Sequence, residues 1–386
     1  MIAPCRAAVS VAAWLATAWL ATGCSAAGPA REAPATPVRG APAPVEVRAS
    51  AGEARLPGCG ICYAHNWQQQ GAHGYGSDTS ARSLERLRGL GVAAVSLTDF
   101  GWMPSLEAVE VRWDPERGAG ERLSTMAIEA KRARDAGMQV MLKPHLWVRN
   151  GAWQAKLAPD AAAGGWPRWF DSYEQFAVAH ARWAESQQID WFVIGTELGS
   201  ATEADPARWR ALIARVREVY RGRVTYAANW DEAERVPFWD ALDAIAVNFY
   251  APLAQAPGAG LDEMSAEARR WLVRYEALAN RFGRPLLLTE VGFMNRPGTA
   301  VTPHLWPEHA NDPASAAGEA EQATAYRAIL ETFGRSPQVA GIYWWKWFTD
   351  PATDEEGPVG FSPAGRQAER VLEAWCRGEP APPRGR

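Results

Sequence analysis

The sequence predicts an α/β protein built as a single (β/α)8 barrel of the TIM type, on three observations. Short apolar, β-prone runs alternate with longer amphipathic ones from about residue 55 to residue 376, as the strands and helices of a parallel sheet do. Eight such β-prone runs can be counted. No G-x-G-x-x-G follows the first of them, which removes the main signature of an open dinucleotide-binding sheet. A chain of 386 residues also suits one barrel of about 250 residues or more with extensions at its ends.

The extensions are legible first. Arg6 and the apolar run "AAVSVAAWLATAWLATG" form a secretory signal over residues 1–23, too short and wrongly flanked for a stable membrane span. "LATGC" resembles a bacterial lipobox with Ala21 where Leu is more usual, so Cys24 is expected to become the lipidated first residue of an exported, membrane-anchored protein of the cell envelope. Secretion as a soluble product is the alternative. Residues 24–52 are rich in Pro and Ala and bury little, as an extended tether does. The barrel is assigned to residues 53–378 and a disordered tail to 379–386.

Within the barrel the expected strands are "GICYAH" (60–65), "VAAVSL" (92–97), "QVMLKP" (139–144), "WFVIGT" (191–196), "RVTYAA" (223–228), "AIAVNF" (244–249), "PLLLTE" (285–290) and "VAGIYW" (339–344). Helices fit between them. "SARSLERLRGLG" precedes the second strand, and "TMAIEAKRARDAG" ends on Gly137 at the position of a C-cap. "DPARWRALIARVREVY" opens with Asp205 at the N-cap and Pro206 at N1. Three later amphipathic stretches, closing with "SPAGRQAERVLEAW", supply further helices, whereas the connection after the fifth strand offers only "VPFWDAL".

Composition narrows the function. The formal net charge is −4 with no basic stretch to follow a phosphate backbone, so no nucleic-acid partner is expected. There are 20 Trp, and only Trp14 and Trp19 fall in the leader, so flat rings are in demand in the folded part. Each can fill core or stack on a sugar face, and position near a strand end favours the second use. Six His with no H-E-x-x-H or clustered carboxylates leave no expectation of a metal or other cofactor, and the absence of G-x-S-x-G counts against a serine esterase. Once Cys5 leaves with the leader, Cys59, Cys62 and Cys376 remain, and closure of the barrel brings the first strand beside the last helix. A disulfide from Cys59 or Cys62 to Cys376 is therefore available in an oxidising compartment.

Two stretches carry the chemistry. "FVIGTELG" ends the fourth strand on Glu197, and "RPLLLTEVGF" ends the seventh on Glu290. The C-terminal ends of barrel strands form the active-site mouth, and a carboxylate buried there needs a partner or a shifted pKa. Two such groups suit glycosidic bond cleavage, one protonated to release the leaving oxygen and the other ionised to attack the anomeric carbon.

A Glu after strand four and a Glu after strand seven resembles the pattern of clan A glycoside hydrolases. "GYGSDTSARSLERLRGLGVAAVSLTDFGWM", "MLKPHLWV", "FVIGTELGS", "VNFYAPL", "LLLTEVGF", "GIYWWKWFTD" and "GFSPAGRQAERVL" are similar to glycoside hydrolase family 113 over nearly the whole of residues 60–375. The resemblance implies a retaining endo-β-1,4-mannanase acting on a polysaccharide or oligosaccharide, with Glu197 as general acid/base and Glu290 as nucleophile. Many clan A enzymes place Asn just before the acid/base to contact the sugar 2-hydroxyl. Here that position is Thr196, and Asn229 or Asn248 is available instead.

Other strand-end residues complete the expected sugar site. Tyr250 is positioned to hydrogen-bond Glu290, and Lys143 and His145 leave strand three as hydroxyl-binding or charge-tuning groups. Period two lets only one of Trp344 and Trp345 face the interior, and Trp345 is expected to floor the bound ring. Asp99, Trp102, Trp147 and Trp230, the last beside Asp231, are expected to line further subsites, and Trp306 lies in a long loop after strand seven. The competing function, a non-catalytic carbohydrate-binding lipoprotein on the same barrel, would not need both Glu residues.

Overall fold

The computed structural model describes residues 58–66, 72–115, 122–305, 313–353 and 355–379. The leader, Cys24, the tether, the tail beyond Glu379 and Trp306 lie outside the described residues. All described residues fall in one compact unit.

Ten strands are present among them: β1 (Gly58–Ala64), β2 (Ala94–Leu97), β3 (Phe100–Met103), β4 (Gln139–Leu142), β5 (His145–Val148), β6 (Trp191–Thr196), β7 (Arg223–Asn229), β8 (Ile245–Phe249), β9 (Leu286–Val291) and β10 (Val339–Phe348). Eight of them close a barrel in the order β1, β2, β4, β6, β7, β8, β9, β10 and back to β1, every neighbouring pair parallel. Each expected β-prone run supplies one barrel strand. The fold is a (β/α)8 barrel.

The helices are α1 (Asp78–Gly89), α2 (Leu123–Asp135), α3 (Gly165–Ser186), α4 (Gly199–Ala204), α5 (Pro206–Val219), α6 (Leu261–Phe282), α7 (Ala316–Thr332) and α8 (Gln367–Cys376). Local chemistry sets several of their ends. Asp205 caps α5 by accepting from the Arg208 N–H at 3.0 Å, with Pro206 in the first turn. Gly137 follows α2 at φ 78°, a left-handed conformation that costs glycine little. Between β7 and β8 only a 3-10 turn at Trp239–Ala241 forms, in line with the weak helical pattern there. The 22-residue α3, absent from the sequence reading, packs by aromatic rings: Trp169 stacks on Tyr173 at 4.8 Å, and both rings meet neighbours from α3 or α5.

The barrel interior is filled. Trp191 and Tyr343 occupy space left by Ala94, Ala227, Ala244 and Ala246, and the Arg223 guanidinium lies 4.6 Å from the Trp191 ring. A second apolar layer, including Ile61, Val95, Val140 and Ile194, faces the helices. Cys59 and Cys62 are three residues apart on β1, so period two sends them to opposite faces. Cys59 looks outward and is bonded to Cys376 at the end of α8, while Cys62 is a buried free thiol on the inward face.

That disulfide ties chain positions 317 residues apart, so it removes a long loop's freedom from the unfolded ensemble. The Cys59→Ser/Cys376→Ser protein is expected to be less stable by up to about 5 kcal/mol. Calorimetry of the two proteins checks this, and equal unfolding temperatures would show that the bond adds nothing.

Candidate active site

Both carboxylate-bearing strands carry an extra residue just where their Glu side chains emerge. On β6 the pairing with β7 steps from Val193 to Thr196 against Thr225 to Ala227, and on β9 the pairing with β8 steps from Leu288 to Glu290 against Val247 to Asn248. Bulges of this kind break the strict alternation and re-aim a side chain, here at the mouth of the barrel. Glu197 sits directly after β6 at φ 52°, in the left-handed region, a conformation that costs a non-glycine residue on the order of 1 kcal/mol. Neighbours hold it there: the Glu197 N–H donates to Ala227 O at 2.9 Å, and the Leu198 N–H donates to the Tyr226 hydroxyl at 2.6 Å. Tyr226 in turn donates to buried Glu232 at 2.7 Å.

The environments of the two carboxylates are opposite. Glu290 is 5% exposed and makes an ion pair through Oε1 with Lys143, which has no exposure at all. Its Oε2 accepts from the Tyr250 hydroxyl at 2.8 Å. Burial works against the charge on Lys143, but Cys62 and then the Glu290 carboxylate beside it together more than offset that, and the ammonium is held above its ordinary range. Burial, then the charge of Glu290, pushes Tyr250 well above the usual phenol range and keeps it a donor. Cys62 lies under the pair, its Sγ 3.7 Å from Lys143 Nζ, and burial pushes its thiol up to about 12, so it stays uncharged.

Glu197 makes no ion pair with a cation among the described residues. Its Oε1 accepts from Asn248 Nδ2 at 3.0 Å and its Oε2 from Trp153 Nε1 at 3.0 Å. Burial, followed by the negative charge of Glu290, raises its pKa to about 7, the two hydrogen bonds opposing that rise. Asn248 cannot rotate freely, because its Oδ1 accepts from Thr289 Oγ1 at 3.0 Å. Burial and the nearby charges of Lys143 and Lys346 hold His145 well below the ordinary imidazole range, so it is neutral at pH 7. Its Nε2 lies 3.6 Å from Glu290 Oε1, and its ring is parallel to that of Trp345 within 11° at 6.3 Å.

Glu197, Glu290, Asn248, Tyr250, His145 and Trp345 open on one cleft of about 950 Å³. Trp147, Asn229 and Trp230 extend its walls. The inward member of the adjacent Trp pair is Trp345, while Trp344 is buried against Tyr326 at 3.8 Å. Lys143 lies beneath the floor, and Asn229 spends its amide on Asp231 at 2.7 Å.

Two expected subsite residues are elsewhere. Asp99 is a buried structural carboxylate: it accepts from the Phe100 N–H at 2.8 Å and Trp113 Nε1 at 3.0 Å, and its Oδ2 lies 2.7 Å from His180 Nε2. Those partners come from a loop and from α3, which the local "TDFGWM" pattern does not reveal. Trp102 is 42% exposed but lines a smaller neighbouring recess and not the main cleft. Conversely Trp153, Phe361 and His304 line the cleft without a signal in the sequence beyond being aromatic. Among the described residues no group of three or more His, Cys, Asp or Glu is placed to hold a metal ion.

The raised pKa of Glu197 has a consequence for stability. A carboxyl whose folded pKa of about 7 exceeds its ordinary 4.5 binds more protons folded than unfolded between those values, so stability falls as pH rises through that window. The penalty is absent below about pH 4 and complete above about pH 7. Glu197→Gln is therefore expected to be more stable than the wild type at pH 8, by on the order of 1–2 kcal/mol after allowance for its partial solvent contact, with the gain vanishing near pH 4. Thermal unfolding across that range checks the sign, and a pH-independent difference would contradict it.

A barrel of this topology with one carboxyl paired to a buried cation and a second held by neutral donors at its C-terminal mouth is the architecture of a barrel glycoside hydrolase. The sequence profile of Glycoside Hydrolase Family 113 matches residues 64–360, and the chain belongs to that family. It is similar to a structure described as a GH113 β-1,4-mannanase complex, at 27% identity and TM-score 0.70 over 83% of this chain and 99% of that one. The GH113 β-mannanase AaManA from Alicyclobacillus acidocaldarius, determined in complex with ManMIm, is similar at 26% identity and TM-score 0.71 over 84% and 99% of the two chains. No curated protein matches the chain in sequence.

Proposed function

We propose that this glycoside hydrolase cleaves β-1,4-mannan with retention of configuration, Glu290 serving as nucleophile and Glu197 as general acid/base. The observation that carries the reading is the asymmetry of the two carboxyls. Glu290 is ion-paired with Lys143 and accepts from Tyr250, and Glu197 is still half protonated at about pH 7. Glu290 attacks the anomeric carbon as the glycosidic C–O bond breaks, and the Glu197 proton passes to the departing oxygen. The resulting glycosyl-enzyme ester is then attacked by water, which gives its proton to Glu197 and frees Glu290.

Asn248, bonded to Glu197 and paired in register with Glu290, is assigned the sugar 2-hydroxyl contact in place of an Asn before the acid/base. Trp345 serves as floor of the cleavage subsite. Mannan is favoured over glucan or xylan by the family and by the mannanase neighbours. Product analysis of the fragment from about residue 50 with β-mannan, glucomannan, xylan and mixed-linkage glucan tests this. Release of mannan oligomers is expected, and release from xylan or glucan alone would reject the substrate.

The proposal extends to location: an exported enzyme on a lipid anchor at Cys24, a setting in which the Cys59–Cys376 disulfide persists. Fractionation of cells making the wild type and Cys24→Ala tests it, with membrane retention of the variant as the contrary outcome.

A further inference from the structure

We propose that the small sheet beside the catalytic mouth binds a carboxylate carried further along the same glycan, which makes the preferred substrate an acid-bearing β-linked polysaccharide. This rests on the glycosidase reading and refines its substrate class. The observation is a continuous aromatic face that ends between two guanidinium groups with no acidic partner among the described residues.

β3 and β5 pair only with each other, in parallel, placing Phe100 beside His145 and Trp102 beside Trp147. Period two puts these four side chains on one face, while Met103, Leu146 and Val148 are buried on the other. The Gly101 position between them is tight, since a Cβ there would meet Val111, Leu146 and Phe176 within 3.1 Å. The face starts at His145, beside Glu290 and Trp345, and runs outward through Trp147 to Trp102, whose rings are 6.2 Å apart. Both outer Trp residues are more than 40% exposed, an arrangement that suits stacking on pyranose faces.

At the outer end a recess of about 210 Å³ is lined by Trp102, Trp147, Arg112 and Arg149. Trp147 lines the catalytic cleft as well, so one chain can occupy both. Arg112 is fixed to the sheet by reciprocal backbone hydrogen bonds with Trp102 at 2.7 and 2.8 Å, and Arg149 directly follows β5. Neither side chain has an acidic partner among the described residues, whereas nearby Arg168 is paired with Glu110 at 2.5 Å. A guanidinium beside an aromatic platform matches a carboxylate by bidentate, charge-assisted hydrogen bonds, whereas a neutral mannan offers it only uncharged hydroxyl and ring oxygens.

The test compares carboxymethylated β-mannan with unmodified β-mannan of the same chain length. Binding is read by titration calorimetry on the Glu290→Gln protein, and kcat/KM on both polymers is read with the active enzyme, so that neither readout depends on the other. The carboxymethylated polymer is expected to be preferred by about tenfold at low salt, a preference that shrinks as salt rises. In Arg112→Gln/Arg149→Gln the ratio of the two polymers should fall to near one. No preference in the parent protein, no binding of either polymer, or a preference that survives in the double variant would overturn the proposal. If the wild type hydrolyses neither polymer the glycosidase reading fails, and the binding ratio still judges the Arg-flanked face.

Discussion

Glu290→Gln is expected to lower kcat/KM on mannan by on the order of 10⁴-fold or more, because in the proposed mechanism it turns the attacking carboxylate into a weakly nucleophilic amide and no other group replaces it. The structure adds a second effect that the sequence does not reveal. Glu290 neutralises a fully buried Lys143, and removing one partner of a buried pair leaves an uncompensated charge, a loss of about 3–5 kcal/mol in comparable cases. The variant should therefore unfold at a lower temperature as well. Its Lys143 pKa is expected to drop below the unfolded value, so its stability should recover as pH rises and the ammonium loses its proton. Lys143→Met/Glu290→Gln removes both charges and should regain stability while staying inactive. Activity in either variant would reject Glu290 as nucleophile, and equal stability of the single and double variants would reject the buried pair as its partner.

The barrel strands were legible because each is a short apolar run bounded by turn residues, and every one of the eight runs forms a barrel strand. β3 and β5 were not, since "FGWM" and "HLWV" follow their barrel strands after only two residues and read as loop. α3 escaped for a different reason: its buried face is built from Trp169, Phe170, Tyr173 and Phe176, and aromatics signal helix weakly. Glu197 and Glu290 could be placed at the barrel mouth from strand position alone. What sequence could not supply is each group's long-range partner. Lys143 meets Glu290 across 147 positions and Trp153 meets Glu197 across 44, and Asp99 draws on His180 across 81. The bulges that re-aim both Glu residues also arise from pairing register, which no local pattern displays.

Glu197→Ala separates the two chemical steps. On mannan the leaving oxygen needs its proton, so a loss of about 10²–10⁴-fold is expected. With an activated aryl leaving group the first step no longer depends on Glu197, and only release of the glycosyl-enzyme is slow, since water lacks its base. Azide needs no deprotonation and fits the space vacated by the side chain, so it should restore turnover and give a product of the same β configuration as the substrate. The wild type should also lose kcat/KM as pH rises past about 7, as Glu197 gives up the proton it must donate. In Glu197→Ala that alkaline limb should be absent. An azide product of inverted configuration, or an unchanged alkaline limb, would move the acid/base role away from Glu197. Asp231, on the cleft wall with its side chain accepting from Asn229 Nδ2 at 2.7 Å, is the carboxylate to which it would move.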